Sequence, residues 1–275
     1  MTIQEYVERG REAVEAIKDY DQAQTDKLVY EAAKIIYQHA AELAREAVDE
    51  TGLGYYEDKI CKNTDTPAAF WAYLRDKKSV GIISENKETG IIEVAHPVGV
   101  IACVTPATNP NVTPLGNFMD AVKGKNAIIV SPAPRAARST THTVELIREA
   151  MVKCGAPADL IQVLSEVTLA NSQALMEACD LVIATGGSVV YGKEAMEHLS
   201  RIGTVVYLKL PYASLVRRLG NLKDRGVVLK EGQTLKSLYE ERTPLYEKYA
   251  HLTVDEEKAG IRETVELVVQ ALKEL

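Results

Sequence analysis

Three short loops carry the residue types that could bind a phosphate-bearing ligand. Residues 105–110 follow the β-branched run VGVIACV, residues 131–135 follow AIIV, and residues 186–188 follow LVIAT. Prolines fix the backbone of the first two loops, and the paired glycines Gly186 and Gly187 allow a phosphate to approach the third. Tight turns between a strand and a helix have the same composition, so each loop alone fits a structural role equally well.

The elements that must position these loops alternate between strands and helices. From Val98 onwards, short β-rich runs alternate with segments of helical periodicity. This pattern predicts an α/β fold with a doubly wound, mostly parallel, Rossmann-like sheet and helices on both faces. Ligands of such sheets bind at the carboxyl ends of the strands, where helix N-termini present free N–H groups. We therefore expect the three loops to lie along one edge of the sheet.

The chain before Val98 predicts N-terminal helices and a β-hairpin. Apolar residues recur at helical spacing over residues 4–20 and 22–49, with Asp21 as a cap and Gly52 or Gly54 as the end of the second helix. The segment PAAFWAYLRD predicts a third, shorter helix. In SVGIISENKETGIIEVA, two β-rich runs flank a polar turn at Gly90, which is typical of a hairpin.

The composition excludes several classes of protein. The 275 residues are 46% hydrophobic and 26% charged with a net charge of −7, as in ordinary globular proteins. No apolar run approaches the roughly 20 residues of a membrane helix, and no signal peptide is evident. No basic stripe suggests nucleic acid as a partner. The four cysteines form no CxxC pair, which favours reduced thiols and a cytoplasmic location.

Metal and nucleotide-triphosphate motifs are incomplete. The five histidines have no zinc-site spacing, so we expect no metal site. Residues 187–194 match the phosphate-binding pattern GxxxxGK[ST] except at the last position, where Glu194 replaces the hydroxyl that should hold magnesium. A working loop of this kind is therefore not expected here.

Four motifs over residues 1–187 resemble the NAD-binding region of CoA-acylating aldehyde dehydrogenases: ETGLGYYEDKICKN, GIIEVAHPVGVIACVTPATNP, KNAIIVSPAPRAARS and CGAPADLIQVL. The resemblance implies that five residues line the adenosine side of NAD, namely Thr105, Pro106, Ser131, Pro132 and Pro134. It further implies that Gly186 and Gly187 approach the pyrophosphate and that the Asn109 amide helps to form an oxyanion hole over a thiohemiacetal. Ala133 departs from the histidine that is usual in the family.

Residues 183–270 are similar to the C-terminal half of shikimate kinases, over TGGSVVYGKEAMEHLSRIGTVVYLKL and the segment that ends in HLTVD. That resemblance implies that Gly186 and Gly187 bind shikimate, that Arg242 grips its carboxylate and that Arg225 contacts ATP phosphates. The two resemblances meet at VIATGG. The chain is thus chimera-like, and residues 188–275 are expected to complete the same sheet as residues 1–187.

Neither resemblance brings a complete active site. Aldehyde oxidation needs a nucleophilic thiolate, and none of the four cysteines stands in the family's sequence context. We therefore expect weak NAD(H) binding by a protein that lacks the catalytic cysteine domain and is inactive. The alternative is a shikimate kinase-like phosphotransferase that uses ATP and magnesium but has no recognisable Walker A loop. A small-molecule nucleotide is the expected partner, and a homo-oligomer is compatible with the sequence.

Overall fold

The computed structural model describes residues 1–184, 189–219 and 233–274. The chain divides into two compact units, Met1–Gly186 and Gly187–Leu275. Gly186, Gly187 and Arg225, three of the predicted site residues, lie outside the described residues.

Four helices precede the first strand of the N-terminal unit. They are α1 (Ile3–Ala16), α2 (Gln22–Gln38), α3 (Ala40–Thr51) and α4 (Tyr56–Leu74). As predicted, Asp21 caps α2 by accepting a hydrogen bond from the Gln24 N–H at 2.8 Å, and Gly52 ends α3 in the left-handed conformation with φ +64°. The predicted helix over residues 22–49 is divided at His39, whose ring nitrogen bonds Glu42 in the first turn of α3 at 2.9 Å.

The predicted hairpin is confirmed. Strand β1 (Gly81–Asn86) pairs with β2 (Ile91–Ala95) in antiparallel fashion. Gly90 closes the turn with φ +71° and donates its N–H to the Asn86 carbonyl at 2.8 Å. All six residues of β1 and the first four of β2 are exposed.

A four-stranded parallel sheet forms the centre of the N-terminal unit, which confirms the predicted fold class. Its strands are β3 (Val100–Val104), β4 (Ala127–Ser131), β5 (Ile161–Val163) and β6 (Leu181–Ala184), in the order β5-β4-β3-β6. The connecting helices are α5 (Val112–Lys123), α6 (Ala137–Lys153) and α7 (Leu169–Ala178). Helices α5 and α6 pack against α2, whereas α7 packs against α1. β4 is buried throughout because helices cover the sheet.

The C-terminal unit has a sheet of its own. Strand β7 (Val206–Lys209) pairs in parallel with β8 (Leu252–Asp255). The helices described in this unit are α8 (Lys193–Ile202), α9 (Tyr212–Leu219), α10 (Leu235–Tyr249) and α11 (Ile261–Lys273).

The expectation that TVVYLKL completes the N-terminal sheet needs correction. Among the described strands, β7 is hydrogen-bonded to β8 and belongs to a different sheet from β3–β6. The physical reason is that the crossover through α9 and α10 returns the chain parallel to β7. A backbone partner for β7 is therefore available within its own unit. In the part of the chain that the structure describes, no helix is long and apolar enough to cross a membrane.

Candidate functional site

The first two predicted loops meet at the carboxyl edge of the parallel sheet. Val104, the last residue of β3, lies opposite Ser131, the last residue of β4. The next residue, Thr105, donates its N–H to the Ser131 carbonyl at 3.1 Å. The strand register therefore brings Thr105, Pro106, Ser131 and Pro132 to one place, as the sequence predicted.

The third loop starts from the same edge. Strand β6 pairs with β3 on the side away from β4, and Ala184 lies opposite Val104. The structure describes this segment as far as Ala184, so the positions of Gly186 and Gly187 stay predictions. Of the near-match over residues 187–194, the structure describes Gly192 as the residue that precedes α8.

Thr105 holds an unpaired polar atom in this edge. Its side chain is 3% exposed, and its hydroxyl has no hydrogen-bond partner among the described residues. The neighbouring hydroxyl of Ser131 is engaged, because it lies 2.7 Å from the Ser172 hydroxyl of α7. Pro132 is buried, whereas Pro134 is exposed at the start of a short 3₁₀ turn, Pro134–Ala136. Among the described residues of the two loops, Thr105 thus carries a buried hydroxyl without a hydrogen-bond partner.

The ETG motif holds the second loop in position. The Glu50 carboxylate accepts the N–H groups of Arg138 and Ser139 in the first turn of α6, at 2.8 and 2.7 Å. Arg135 in turn donates to the Thr51 carbonyl at 2.5 Å. A carboxylate already occupies the N-terminus of α6, which disfavours a phosphate there.

Asn109 lies on the β3 loop beside a residue that the sequence analysis missed. Its carbonyl accepts the Thr113 N–H at 3.4 Å, and the preceding Thr108 carbonyl accepts a hydrogen bond from Lys59 Nζ at 2.9 Å. Lys59 is 5% exposed. Burial, together with the charge of Lys62, lowers the pKa of Lys59 to about 8. The sequence signal that could have identified Lys59 is its helical spacing from Asn63, because both residues belong to the buried face of α4.

Three of the four thiols have raised pKa values. Burial raises the pKa of Cys103 to about 12 against the effect of a hydrogen bond from Asn117. Burial, with the charge of Asp180, also raises the pKa of Cys179 to about 12. Burial also raises the pKa of Cys154. Cys61 is exposed on α4. A nucleophilic cysteine needs the opposite environment, in which positive charge lowers the thiol pKa.

Arg242, the predicted carboxylate-binding residue of the kinase-like half, is engaged with an aromatic ring. Its Nε donates to the Tyr191 hydroxyl at 3.2 Å, and the guanidinium lies 5.2 Å from the Tyr191 ring centroid. Arg242 belongs to α10 and Tyr191 to a short 3₁₀ turn after residue 188. The structure does not describe Arg225, so its pairing with Arg242 in one site stays a prediction.

A cavity of about 470 Å³ opens in the N-terminal unit, and none of the predicted site residues lines it. Tyr6 and Arg9 of α1 and Arg148 of α6 contribute to its lining. Both arginines pair with Asp159, at 3.2 and 2.9 Å. Arg148 also pairs with Glu145 of the lining at 3.5 Å, so two carboxylates offset the two arginines. The cavity therefore shows no preference for an anion, and the loop geometry is the better guide to the site.

The family model for the aldehyde dehydrogenase family matches residues 1–211, which is more than half of the chain. The chain belongs to the aldehyde dehydrogenase family. The model for shikimate kinase matches residues 167–273. The two matches overlap in the middle of the chain, which confirms the chimera-like character that the motifs indicated.

Curated relatives show the same relationship over part of their length. The chain is 44% identical over 188 residues to succinate-semialdehyde dehydrogenase (acetylating) of Clostridium kluyveri, which covers 68% of this chain and 42% of that protein. It is 31% identical over 270 residues to an aldehyde-alcohol dehydrogenase of Clostridium acetobutylicum, covering 93% of this chain and 31% of that protein. The chain thus spans less than half the length of these relatives.

Solved structures agree at the level of fold. A probable aldehyde dehydrogenase from Listeria monocytogenes has a TM-score of 0.64 at 22% identity, covering 99% of this chain and 78% of the other. An acetylating aldehyde dehydrogenase from Geobacillus thermoglucosidasius has the same TM-score and identity, covering 98% of this chain and 78% of the other. At this identity, the likeness concerns the fold alone.

Proposed function

We propose that the N-terminal unit binds NAD(H) at the β3 and β4 loops and that the 275-residue chain does not by itself oxidise aldehydes. The observation that carries the binding part is the junction of Thr105 and Ser131 at the carboxyl edge of the parallel sheet. Membership of the aldehyde dehydrogenase family and the resemblance of both loops to the NAD-binding region of its CoA-acylating members support the choice of ligand.

The residues present fit a dinucleotide. Among the described residues, the Thr105 hydroxyl is buried without a hydrogen-bond partner. A hydroxyl can both donate to a phosphate or ribose oxygen and accept from a ribose hydroxyl. Pro106, Pro132 and Pro134 give the two loops rigid backbones, which lowers the entropy lost on binding. When bound, NAD supplies the hydride acceptor of an aldehyde oxidation. The protein's own contribution is to hold and orient the adenosine side.

The proposal that the chain does not oxidise aldehydes rests on the surroundings of its thiols. Aldehyde oxidation on a cysteine requires a thiolate at neutral pH, and burial raises the pKa of Cys103, Cys154 and Cys179. Cys61 is exposed on α4, in a sequence context unlike that of the family nucleophile.

Thermal protection of the full chain tests the binding proposal. NADH should raise the melting temperature, and Thr105→Val should weaken that effect because the methyl group cannot hydrogen-bond. Thr140→Val is the matched control, because the Thr140 hydroxyl of α6 is also buried with no hydrogen-bond partner in the described part of the chain. Neither variant should destabilise the ligand-free chain, since each removes an unsatisfied buried hydroxyl. Equal protection of both variants would show that the Thr105 hydroxyl does not touch the ligand.

A second candidate, a kinase-like phosphotransferase, is favoured by the shikimate kinase match over residues 167–273. It requires Arg242 to exchange its Tyr191 contacts for a ligand carboxylate. Mg-ATP and shikimate should then protect the chain against heat, and Arg242→Met should abolish the effect of shikimate. Protection by Mg-ATP without protection by NADH would favour this candidate and contradict the first.

A further inference from the structure

Lys59 is a buried cation with a backbone carbonyl as its partner. The side chain is 5% exposed, and Nζ donates to the Thr108 carbonyl at 2.9 Å. No carboxylate among the described residues offsets its charge. Burial of an ammonium group without a counter-ion is unfavourable, and side chains kept in such a state are found most often at functional sites.

The fold forces Lys59 into this position. The residue lies in the first turn of α4, and its stem runs beside Gly54, which has φ +80°. A Cβ at position 54 would lie 3.2 Å from Lys59 Cε. The glycine therefore meets two requirements, a left-handed backbone and room for the lysine stem. The turn that joins α3 to α4 covers the lysine and directs it towards the β3 loop.

The acceptor of Lys59 is the carbonyl of the peptide that joins Thr108 to Asn109. Because a peptide unit is planar, fixing this carbonyl also fixes the direction of the Asn109 N–H. A cation on the carbonyl oxygen further polarises that N–H as a donor. The same loop begins at Thr105, which the Ser131 carbonyl holds from the other side.

We propose that Lys59 is a positioning residue of the nucleotide site, which orients the Thr108–Asn109 peptide and gives the β3 loop the positive charge that an anionic group of the ligand requires. The ligand part of this proposal rests on the proposed function. The contact between Lys59 and the peptide does not.

In the described part of the chain, no carboxylate pairs with Lys59. Helix α4 packs against α2, α3 and α5. Asp26 of α2 pairs with Lys123 of α5, and Arg45 of α3 lies 3.8 Å from the Tyr56 ring centroid. Glu50 of α3 caps α6. Lys62, on α4 itself, is the neighbour whose charge acts on Lys59, and with burial it brings the pKa of Lys59 to about 8.

The sequence allows this peptide to be observed alone. Thr108–Asn109 is the single Thr-Asn pair in the chain. Labelling of the intact chain with ¹³C-carbonyl threonine and ¹⁵N-asparagine therefore gives one carbonyl-to-amide NMR correlation, from the peptide that Lys59 contacts. In the wild type, the chemical shift of this signal should change with pH, with a midpoint near pH 8.

Three variants separate positioning from general damage to the fold. Lys59→Met should remove the pH response, whereas Lys59→Arg should keep the signal near its low-pH position at all pH values because arginine stays protonated. Lys62→Gln should move the midpoint to higher pH, since it removes a neighbouring positive charge. Melting temperatures establish that each variant is folded. A wild-type signal that does not respond, or an unchanged response in Lys59→Met, overturns the proposal.

NADH titration completes the test. A cation and an anion within about 4–6 Å change each other's equilibria by at least about tenfold, so Lys59→Met should weaken NADH binding by about that factor and Lys59→Arg should restore it. Equal affinity in the wild type and Lys59→Met overturns the role in ligand binding. Absence of NADH binding by the wild type overturns the proposed function instead, and the NMR titration then still decides whether Lys59 holds the peptide.

Discussion

Glu50→Ala should destabilise the N-terminal unit by removing the cap of α6. The carboxylate accepts two N–H groups of the first turn, from Arg138 and Ser139, and also the Ser139 hydroxyl. Loss of a helix cap costs about 0.5–2 kcal/mol, and loss of a negative charge at a helix N-terminus adds about 0.3–1 kcal/mol. Glu50 is only partly buried, so water replaces some of these bonds. We therefore expect a loss of about 2 kcal/mol.

The effect should depend on pH in a defined direction. Burial by itself raises the pKa of Glu50, but the hydrogen bonds from Ser139 and Arg138 outweigh it and the pKa is lowered. A group whose pKa is lower in the folded state stabilises the protein above its unfolded pKa, which is about 4.3 for glutamate. That stabilisation disappears as the pH falls through the folded pKa. The difference in the free energy of unfolding between the wild type and Glu50→Ala should therefore become smaller at acidic pH.

Trp71 gives a direct assay, because it is the single tryptophan of the chain and lies on α4 of the same unit. The midpoint of thermal unfolding, followed by its fluorescence, should be about 4–8 °C lower for Glu50→Ala, because about 2 kcal/mol is lost and each kcal/mol lowers the midpoint by about 2–4 °C in a unit of this size. Asp49→Ala, at the exposed neighbouring position, is the control and should change little. Equal midpoints for Glu50→Ala and Asp49→Ala at neutral pH would refute the capping argument.

Three further predictions concern other parts of the N-terminal unit. Gly99→Ala should destabilise it by more than about 1–2 kcal/mol, because Gly99 has φ +122° and an added Cβ would lie 2.3 Å from Asp180 Oδ2; an unchanged Trp fluorescence midpoint would contradict this. A maleimide should label the exposed Cys61 well before Cys103, whose pKa burial raises to about 12; mass spectrometry showing Cys103 labelled first would be evidence against the thiol assignment. The homo-oligomer that is compatible with the sequence should bury the hairpin, whose strands are exposed in the single chain. Ile91→Asp should then lower the mass in sedimentation, and a wild type that is already monomeric would exclude this.

Local features of the fold could be predicted because their signals lie within a few residues of the element that they define. Asp21 accepts from a residue three positions ahead, and the left-handed Gly52 and Gly90 end a helix and a hairpin turn. The buried strands β3 and β4 were visible as continuous apolar runs. Their regular connection by helices made the parallel sheet and the meeting of Thr105 with Ser131 predictable as well.

Features that depend on distant residues were not predictable from one sequence. Lys59 and Thr108 are 49 positions apart, and Glu50 and Ser139 are 89 apart. Either contact requires knowledge of how α3 and α4 pack on the sheet, which periodicity alone does not give. The expectation that β7 joins the N-terminal sheet was wrong for a related reason, since an edge strand pairs with whichever partner the tertiary structure presents.

Titration of the full chain with NADH, followed by energy transfer from Trp71, tests the central claim most directly. Trp71 lies in the same unit as the β3 and β4 loops, with its ring 5.3 Å from that of Tyr30. The account predicts a saturable loss of Trp71 emission that NAD⁺ reverses and that Thr105→Val weakens. Emission that falls only in proportion to added NADH, with no saturation and no reversal by NAD⁺, would contradict it.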